Sequence, residues 1–121
     1  MRGREQTAVD YITLRLRRDA LITGAAERLD GYDAILMPTV PIIAPRIDAL
    51  HEDGIYAATN LLLLRNPTLT NFLDRCAISL PCHKHGEAPV GLMAMGQHRG
   101  DERLFAVATW MEQALVTIRQ C

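Results

Sequence analysis

Between residues 71 and 96 the chain carries two short apolar runs, 77–80 and 90–95, either side of the polar link 82–88. Each run is bounded by proline or glycine and is too short for a helix, so both read as strands. In the second run Val90, Leu92 and Ala94 share one face, while Gly91, Met93 and Met95 share the other. Strands apolar on both faces belong in the middle of a sheet, with helices above and below. This stretch therefore demands cover, and the rest of the chain is judged by how much of it the chain supplies.

The length of 121 residues fits one domain, 1–121, with a real core. At 49% apolar and 22% charged residues, with net charge −1, it offers no electrostatic reason to bind nucleic acid or an anionic membrane. No apolar run approaches the roughly 20 residues needed to span a bilayer. The N-terminus lacks the apolar core of a signal peptide. Cys76, Cys82 and Cys121 are an odd set, read as reduced thiols in a cytoplasmic setting. The chain has one serine, Ser79, and one lysine, Lys84, which limits every mechanism open to it.

Residues 8–29 hold no proline and many helix formers. Tyr11, Leu14, Leu21, Ala25 and Leu29 fall near one face, interrupted by Arg18, and Ile12 and Leu16 widen it. Arg15, Arg17 and Arg18 are read as a solvated helix face in preference to a phosphate site. Asp30-Gly31 ends this helix. Residues 34–37 follow as a buried strand, which Pro38 stops because proline has no N–H to donate. Three prolines stiffen the loop 38–45 beyond the strand's carboxyl end, where α/β sheets bind ligands. Thr39 either lines a pocket there or bonds local backbone in a turn.

A surface link with a solvated His51 leads to a second helix over 55–65. Its 61–64 segment, apolar all round, predicts burial on most sides. Asn66-Pro67 is expected to break this helix, with 68–73 as a turn into the hairpin. Gly100-Asp101 opens the last helix, with Asp101 placed to cap it and Glu102 favouring the dipole. Leu104, Val107, Ala108, Met111, Leu115 and Ile118 form its apolar stripe. Trp110 lies beside that stripe, placed to meet a partner surface. The methionines are read as core filler. The order is α-β-α-β-β-α, an α/β chain.

The densest polar cluster is Cys82-His83-Lys84-His85, with Cys76 upstream. Its spacing matches no common zinc pattern, and adjacent Cys82 and His83 do not readily face one ion, so it reads as a polar hairpin tip. A Cys–His nucleophilic pair lacks a third group to orient the histidine. A Ser79–Lys84 dyad places the serine mid-strand and the lysine in the link, without the exposed turn and desolvated lysine such a dyad needs. Ser79 is read as a small strand residue packing against a neighbour. No catalytic residue, metal or cofactor is assigned.

Asp33-Ala-Ile-Leu-Met-Pro-Thr with Ala44-Pro45 resembles the C-terminal region of the amidase signature enzymes. So do Asn71 with Ala77-Ile-Ser-Leu-Pro, Pro89-Val-Gly-Leu-Met-Ala-Met-Gly, and the closing helix with Asp101 and Glu112. The ordered combination covers nearly the whole chain. Two positions depart from the family pattern: Asp74 stands where glycine is frequent and Cys76 where proline is. A loop lacking both is expected to take a different local path, altering pocket shape without undoing the fold.

The resemblance implies a mixed sheet covered by helices and an amide-hydrolysing or amidotransferring parent. That parent uses a Ser–cis-Ser–Lys triad in a region preceding the one matched here. With a single serine and a single lysine this chain cannot hold that triad, nor has it a Gly/Ser-rich loop for an oxyanion hole. The expectation is a C-terminal amidase fragment, begun at an internal methionine or cut from a longer chain, and inert alone. It would enclose a small-molecule amide only with its missing N-terminal portion, Thr39 and Asn71 being the expected substrate neighbours. The rival expectation is a non-enzymatic module that associates through its apolar hairpin and helices, as a homodimer or with another chain.

Overall fold

A computed structural model describes residues 2–120. The start at Met1, the side chain of Ile118 and the thiol of Cys121 lie outside the described residues. Helix α1 spans Ala8–Leu29. Its first turn is closed by a capping box: the Asp10 N–H donates to Thr7 Oγ1 at 3.2 Å, and the Thr7 N–H donates to Asp10 Oδ2 at 2.9 Å. The Thr7 hydroxyl also donates to Asp10, and this bond above all holds the Asp10 carboxyl below its usual range. At the other end the Asp30 N–H closes the last turn on Ala26 O at 3.0 Å, so the helix stops where Asp30-Gly31 indicated.

Strand β1 (Ile35–Pro38), helix α2 (Asp53–Phe72), strands β2 (Ala77–Pro81) and β3 (Gly91–Met95), and helix α3 (Asp101–Gln120) complete the expected order. The three strands form a sheet in the order β1-β3-β2 with both pairings antiparallel. The mixed sheet expected from the family resemblance is thus antiparallel throughout among the described residues. Strand β3 is central, and Met93, Ala94 and Met95 are buried, as a strand apolar on both faces requires. Strand β2 is an edge, with Ala77, Ser79 and Pro81 exposed and Ile78 and Leu80 turned inward.

Helix α3 covers one face of this sheet. Leu104 and Ala108 are its buried residues, and Val107, Met111 and Leu115 are half-buried on the same stripe. Gly96 continues the face of Leu92 and Ala94, and a Cβ there would lie 3.3 Å from Leu104 Cβ and 2.9 Å from Cys76 Sγ. Gly100 accepts the first helical bond, from the Leu104 N–H at 2.9 Å. Asp101 therefore sits inside the first turn, one residue past the expected capping position.

Two expectations for α2 are corrected. The helix does not break at Asn66-Pro67 but runs on through Pro67 to Phe72. Asn66 is held in helical conformation while its Nδ2 donates to Pro38 O at 2.7 Å, a tertiary contact that local propensity does not register. Nor is the 61–64 segment buried: Leu61 is 69% exposed, and Leu62 and Leu64 are also open. An apolar helix surface needs cover, and none of the described residues provides it here. The N-terminal half of α1 is in the same state, with Val9, Tyr11, Ile12, Leu14 and Leu16 all exposed.

The turn after α2 is a left-handed cap. Asp74 has φ +56°, the left-handed region. The Arg75 N–H donates to Thr70 O at 3.1 Å and the Asp74 N–H to Asn71 O at 3.2 Å, the paired bonds of a Schellman cap. Asp74 thus adopts the left-handed conformation that glycine favours. Next to it, Arg75 ties three elements together. Its side chain is only 5% exposed; Nη2 meets Asp30 Oδ1 at 2.7 Å beyond α1, and Nε donates to Gly96 O at 2.7 Å beyond β3.

Arg18, half-buried, does more than solvate a helix face. Its guanidinium lies 5.8 Å from the Phe72 ring centre and donates to Asn71 O at 3.3 Å, joining α1 to the end of α2. The whole chain exposes 9301 Å². A compact monomer of 13.5 kDa exposes about 6,500 Å² by the surface–mass scaling of folded proteins, so this chain is less compact than its mass allows. Among the described residues no helix is long and apolar enough to cross a membrane.

Candidate functional site

The carboxyl end of β1 opens onto a cleft of about 310 Å³, between the 39–40 segment, the end of β2 and the start of β3. Proline ends β1, but pairing persists one residue further, because the Thr39 N–H donates to Gly91 O at 2.8 Å. That bond fixes Thr39 opposite Gly91 on the sheet face away from α3. Ser79, opposite Met93 on β2, projects from the same face. The two hydroxyls meet across the central strand, Thr39 Oγ1 to Ser79 Oγ at 2.5 Å. They meet over Gly91, where a Cβ would lie 2.6 Å from each hydroxyl oxygen. The absent side chain is what admits the pair.

His83 closes the cleft from the hairpin loop. The Val90 N–H donates to its Nδ1 at 3.2 Å, while Val90 O accepts the Cys82 N–H at 2.9 Å. The same Nδ1 also lies 3.3 Å from Val90 O, so the imidazole tautomer sets which of the two backbone groups it bonds. Pro81, Pro89, Val40 and Val90 supply the remaining walls, which are mainly apolar.

The two residues expected to meet substrate lie apart. Thr39 lines this cleft; Asn71 does not, being exposed in the last turn of α2 with its carbonyl engaged by Arg18 and by the Asp74 N–H. Lys84 is also outside the cleft, its N–H donating to Glu87 Oε2 at 3.0 Å. Ser79 does pack against a neighbour, as expected, but the neighbour is the hydroxyl of Thr39. Sequence patterns do not mark Ser79, Gly91 and His83 as a site. Their side-by-side placement depends on the β1-β3-β2 order, which no local pattern encodes. Among the described residues Cys76 and Cys82 are free thiols, and no cluster of potential metal ligands is present.

Fold and cleft together define an α/β chain with an open, hydroxyl-bearing cleft at the end of its sheet. The chain belongs to the amidase family, whose pattern it matches over residues 1–105. It is 35% identical over 111 residues to a 2-amino-5-chloromuconic acid deaminase of Comamonas testosteroni, covering 88% of this chain and 23% of that protein. It is 28% identical over 108 residues to the glutamyl-tRNA(Gln) amidotransferase A-subunit of Saccharolobus solfataricus, covering 89% of this chain and 22% of that one. The corresponding protein of Legionella pneumophila (strain Paris) is 35% identical over 99 residues, 82% of this chain and 19% of the relative. The chain thus spans about a fifth of the length of these curated relatives. No solved structure matches it significantly.

Proposed function

We propose that this chain is the C-terminal, substrate-enclosing part of an amidase signature enzyme, folding as one unit and inert alone toward amide bonds. The observation that carries the reading is the fate of its only serine. Ser79 Oγ is bonded to Thr39 Oγ1 on an edge strand, and the only lysine lies outside the cleft. Neither a second serine nor a lysine is at hand to activate it. The role left to these residues is to shape and polarise one wall of a substrate site. Thr39 is the first contact in that reading, and Asn71, exposed in the last turn of α2, is the second once the catalytic portion is joined. The free thiols of Cys76 and Cys82 suit a cytoplasmic setting.

The test is to express the chain alone and follow ammonia release from a panel of small amides. No turnover is expected from the wild type. Turnover abolished by Ser79→Ala would restore a serine nucleophile and overturn the reading. The coding sequence upstream is a second check: an in-frame Gly/Ser-rich, lysine-containing segment is expected. Without it the chain stands as an association module instead, a reading favoured by the open leucines of α2 and by Trp110, 79% exposed beside the α3 stripe.

A further inference from the structure

We infer that the outer edge of β2 is a self-pairing edge, where two copies of this chain join antiparallel, Ala77 of one opposite Ser79 of the other. The pairing goes beyond the substrate-enclosing role and does not depend on it. The two edges of the sheet differ. On β1 the Thr39 N–H donates to Gly91 O, so Ile35 and Met37 also turn their backbone groups toward β3, and Leu36 and Pro38 turn theirs outward. Pro38 has no N–H and its carbonyl is taken by Asn66 Nδ2 at 2.7 Å, which closes that end of the edge. On β2 the Cys82 N–H donates to Val90 O and the Gly96 N–H to Cys76 O, both at 2.9 Å. Ile78 and Leu80 therefore face β3, while the N–H and carbonyl of Ala77 and of Ser79 face outward. Among the described residues no strand lies beyond β2. Ala77 and Ser79 are exposed, and the strand carries no charge to repel a newcomer.

The chain's own β2 fits this edge. With a two-fold axis at Ile78, Ala77 of each copy meets Ser79 of the other, and every outward N–H finds a carbonyl. The next pair outward is Pro81 opposite Arg75. Pro81 has no N–H, and the Arg75 N–H is already bonded to Thr70 O at 3.1 Å, so the ladder ends with no donor orphaned. Centring on Ser79 would set Ala77 against Pro81 and leave the Ala77 carbonyl unmet. Centring on Ala77 would set Ser79 against the occupied Arg75 N–H. On the α3 side, a cleft of about 90 Å³ adjoins the axis, lined by Ala77, Ile78, Leu104 and Phe105, with Asp101 exposed in its lining. Phe105 is 64% exposed there and gains cover from a copy docked on the edge. A standard interface takes ~800 Å² from each partner, and the chain exposes 9301 Å² where a compact monomer exposes about 6,500 Å².

Backbone amide hydrogen exchange of the full chain, followed by two-dimensional NMR, reads the edge residue by residue. Over a roughly hundredfold rise in protein concentration, the Ala77 and Ser79 amides are expected to slow at least about tenfold, while Leu36 on the β1 edge keeps its rate. Ala77→Pro removes an outward N–H and spares the bonds to β3, so Ser79 is expected to exchange fast at every concentration. Ala77→Val keeps the N–H and is expected to keep the concentration dependence. Protected Ile78 and Leu80 amides verify that β2 still pairs with β3 in each variant. Where proline disturbs that pairing, Ala77→Lys takes its place, setting like charges near each other across the axis.

Cross-linking tests the register. Ile78→Cys faces its counterpart in a non-hydrogen-bonded pair, and oxidised glutathione is expected to join position 78 to position 78, as read by peptide mapping. Ser79→Cys, opposite Ala77, is not expected to link to its counterpart. Concentration-independent exchange at Ala77 and Ser79 in the folded wild type overturns the pairing, as does a response at Leu36 in their place. Ser79 protection that survives Ala77→Pro with β2 intact overturns it too, since another face then holds the copies. A link through Ser79→Cys and none through Ile78→Cys overturns the register.

Discussion

Asp74 and Arg75 stand next to each other and stabilise the chain in opposite ways. Asp74 occupies a left-handed cap position, φ +56°, where a side chain costs about 1 kcal/mol and glycine costs none. Its carboxylate approaches His98 Nδ1 at 3.5 Å, but both side chains are more than half exposed, so little is lost with it. Glycine also gives the unfolded chain more freedom, which offsets part of the gain. Asp74→Gly is therefore expected to raise stability by about 0.5 kcal/mol, and Asp74→Val, β-branched in the same conformation, to lower it by at least about 1 kcal/mol. Urea midpoints at unchanged slope measure both, and a Val variant as stable as wild type would refute the cap assignment. Arg75 is the reverse case, a charge nearly removed from water and satisfied by Asp30 and the Gly96 carbonyl. Arg75→Met keeps the aliphatic stem and discards both charge-assisted bonds. Because Asp30 is 45% exposed, its carboxylate rehydrates, and the expected loss is about 2–3 kcal/mol in the same titration.

At the scale of elements, α2 shows where sequence patterns suffice and where they stop. Type and order of all three helices and three strands follow from apolar spacing and from Pro, Gly and Asp at the ends. What a local pattern cannot weigh is a helix-breaking signal against a tertiary contact. Pro67 removes the N–H that would bond Leu63 O, yet α2 continues because Asn66 is anchored on Pro38 and Arg18 braces Phe72. If tertiary contacts hold the helix against its own proline, Pro67→Ala should relieve a standing cost. It is expected to raise stability by about 1–3 kcal/mol and the melting temperature by several degrees, leaving Asn66 on Pro38. A lower melting temperature would mean that the ring is a packing group rather than a burden. The cleft is less legible than the elements for a related reason. Thr39 is identified from its place after β1, a local cue. Ser79 and Gly91 join it only because β3 lies between β1 and β2, so that one glycine separates two hydroxyls 40 residues apart. Asn71 carries a local cue as well, but the helix that runs on through Pro67 places it away from the cleft.

For the molecule as a whole, apolar pattern and burial disagree, and the disagreement is informative. The sequence marks α1, the leucines of α2 and the first strand for a core, yet α1, those leucines and Leu36 of β1 are exposed, while β3 and the Leu104–Ala108 stripe of α3 are buried. The chain exposes roughly 2,800 Å² more than a compact monomer of its mass, several times the ~800 Å² each partner contributes to a standard interface. Part of that surface is the apolar side chains of α1 and of Leu61, Leu62 and Leu64, whose contact with water is unfavourable, so the chain should acquire cover whenever another surface offers it. In a solution of the chain alone, the surface on offer is a second copy. Sedimentation of the chain alone is therefore expected to give assemblies heavier than 13.5 kDa, with a melting temperature that rises with protein concentration, since association adds stability by mass action. Leu61→Glu with Leu64→Glu puts two charges on the open face of α2 and touches neither the sheet nor α3. That variant should shift the assemblies toward monomer while helix content and the Thr39–Ser79 cleft stay intact. A wild type that sediments as a monomer with a concentration-independent melting temperature would show that these faces need no partner, and the enclosing role proposed for the chain would lose its physical motive.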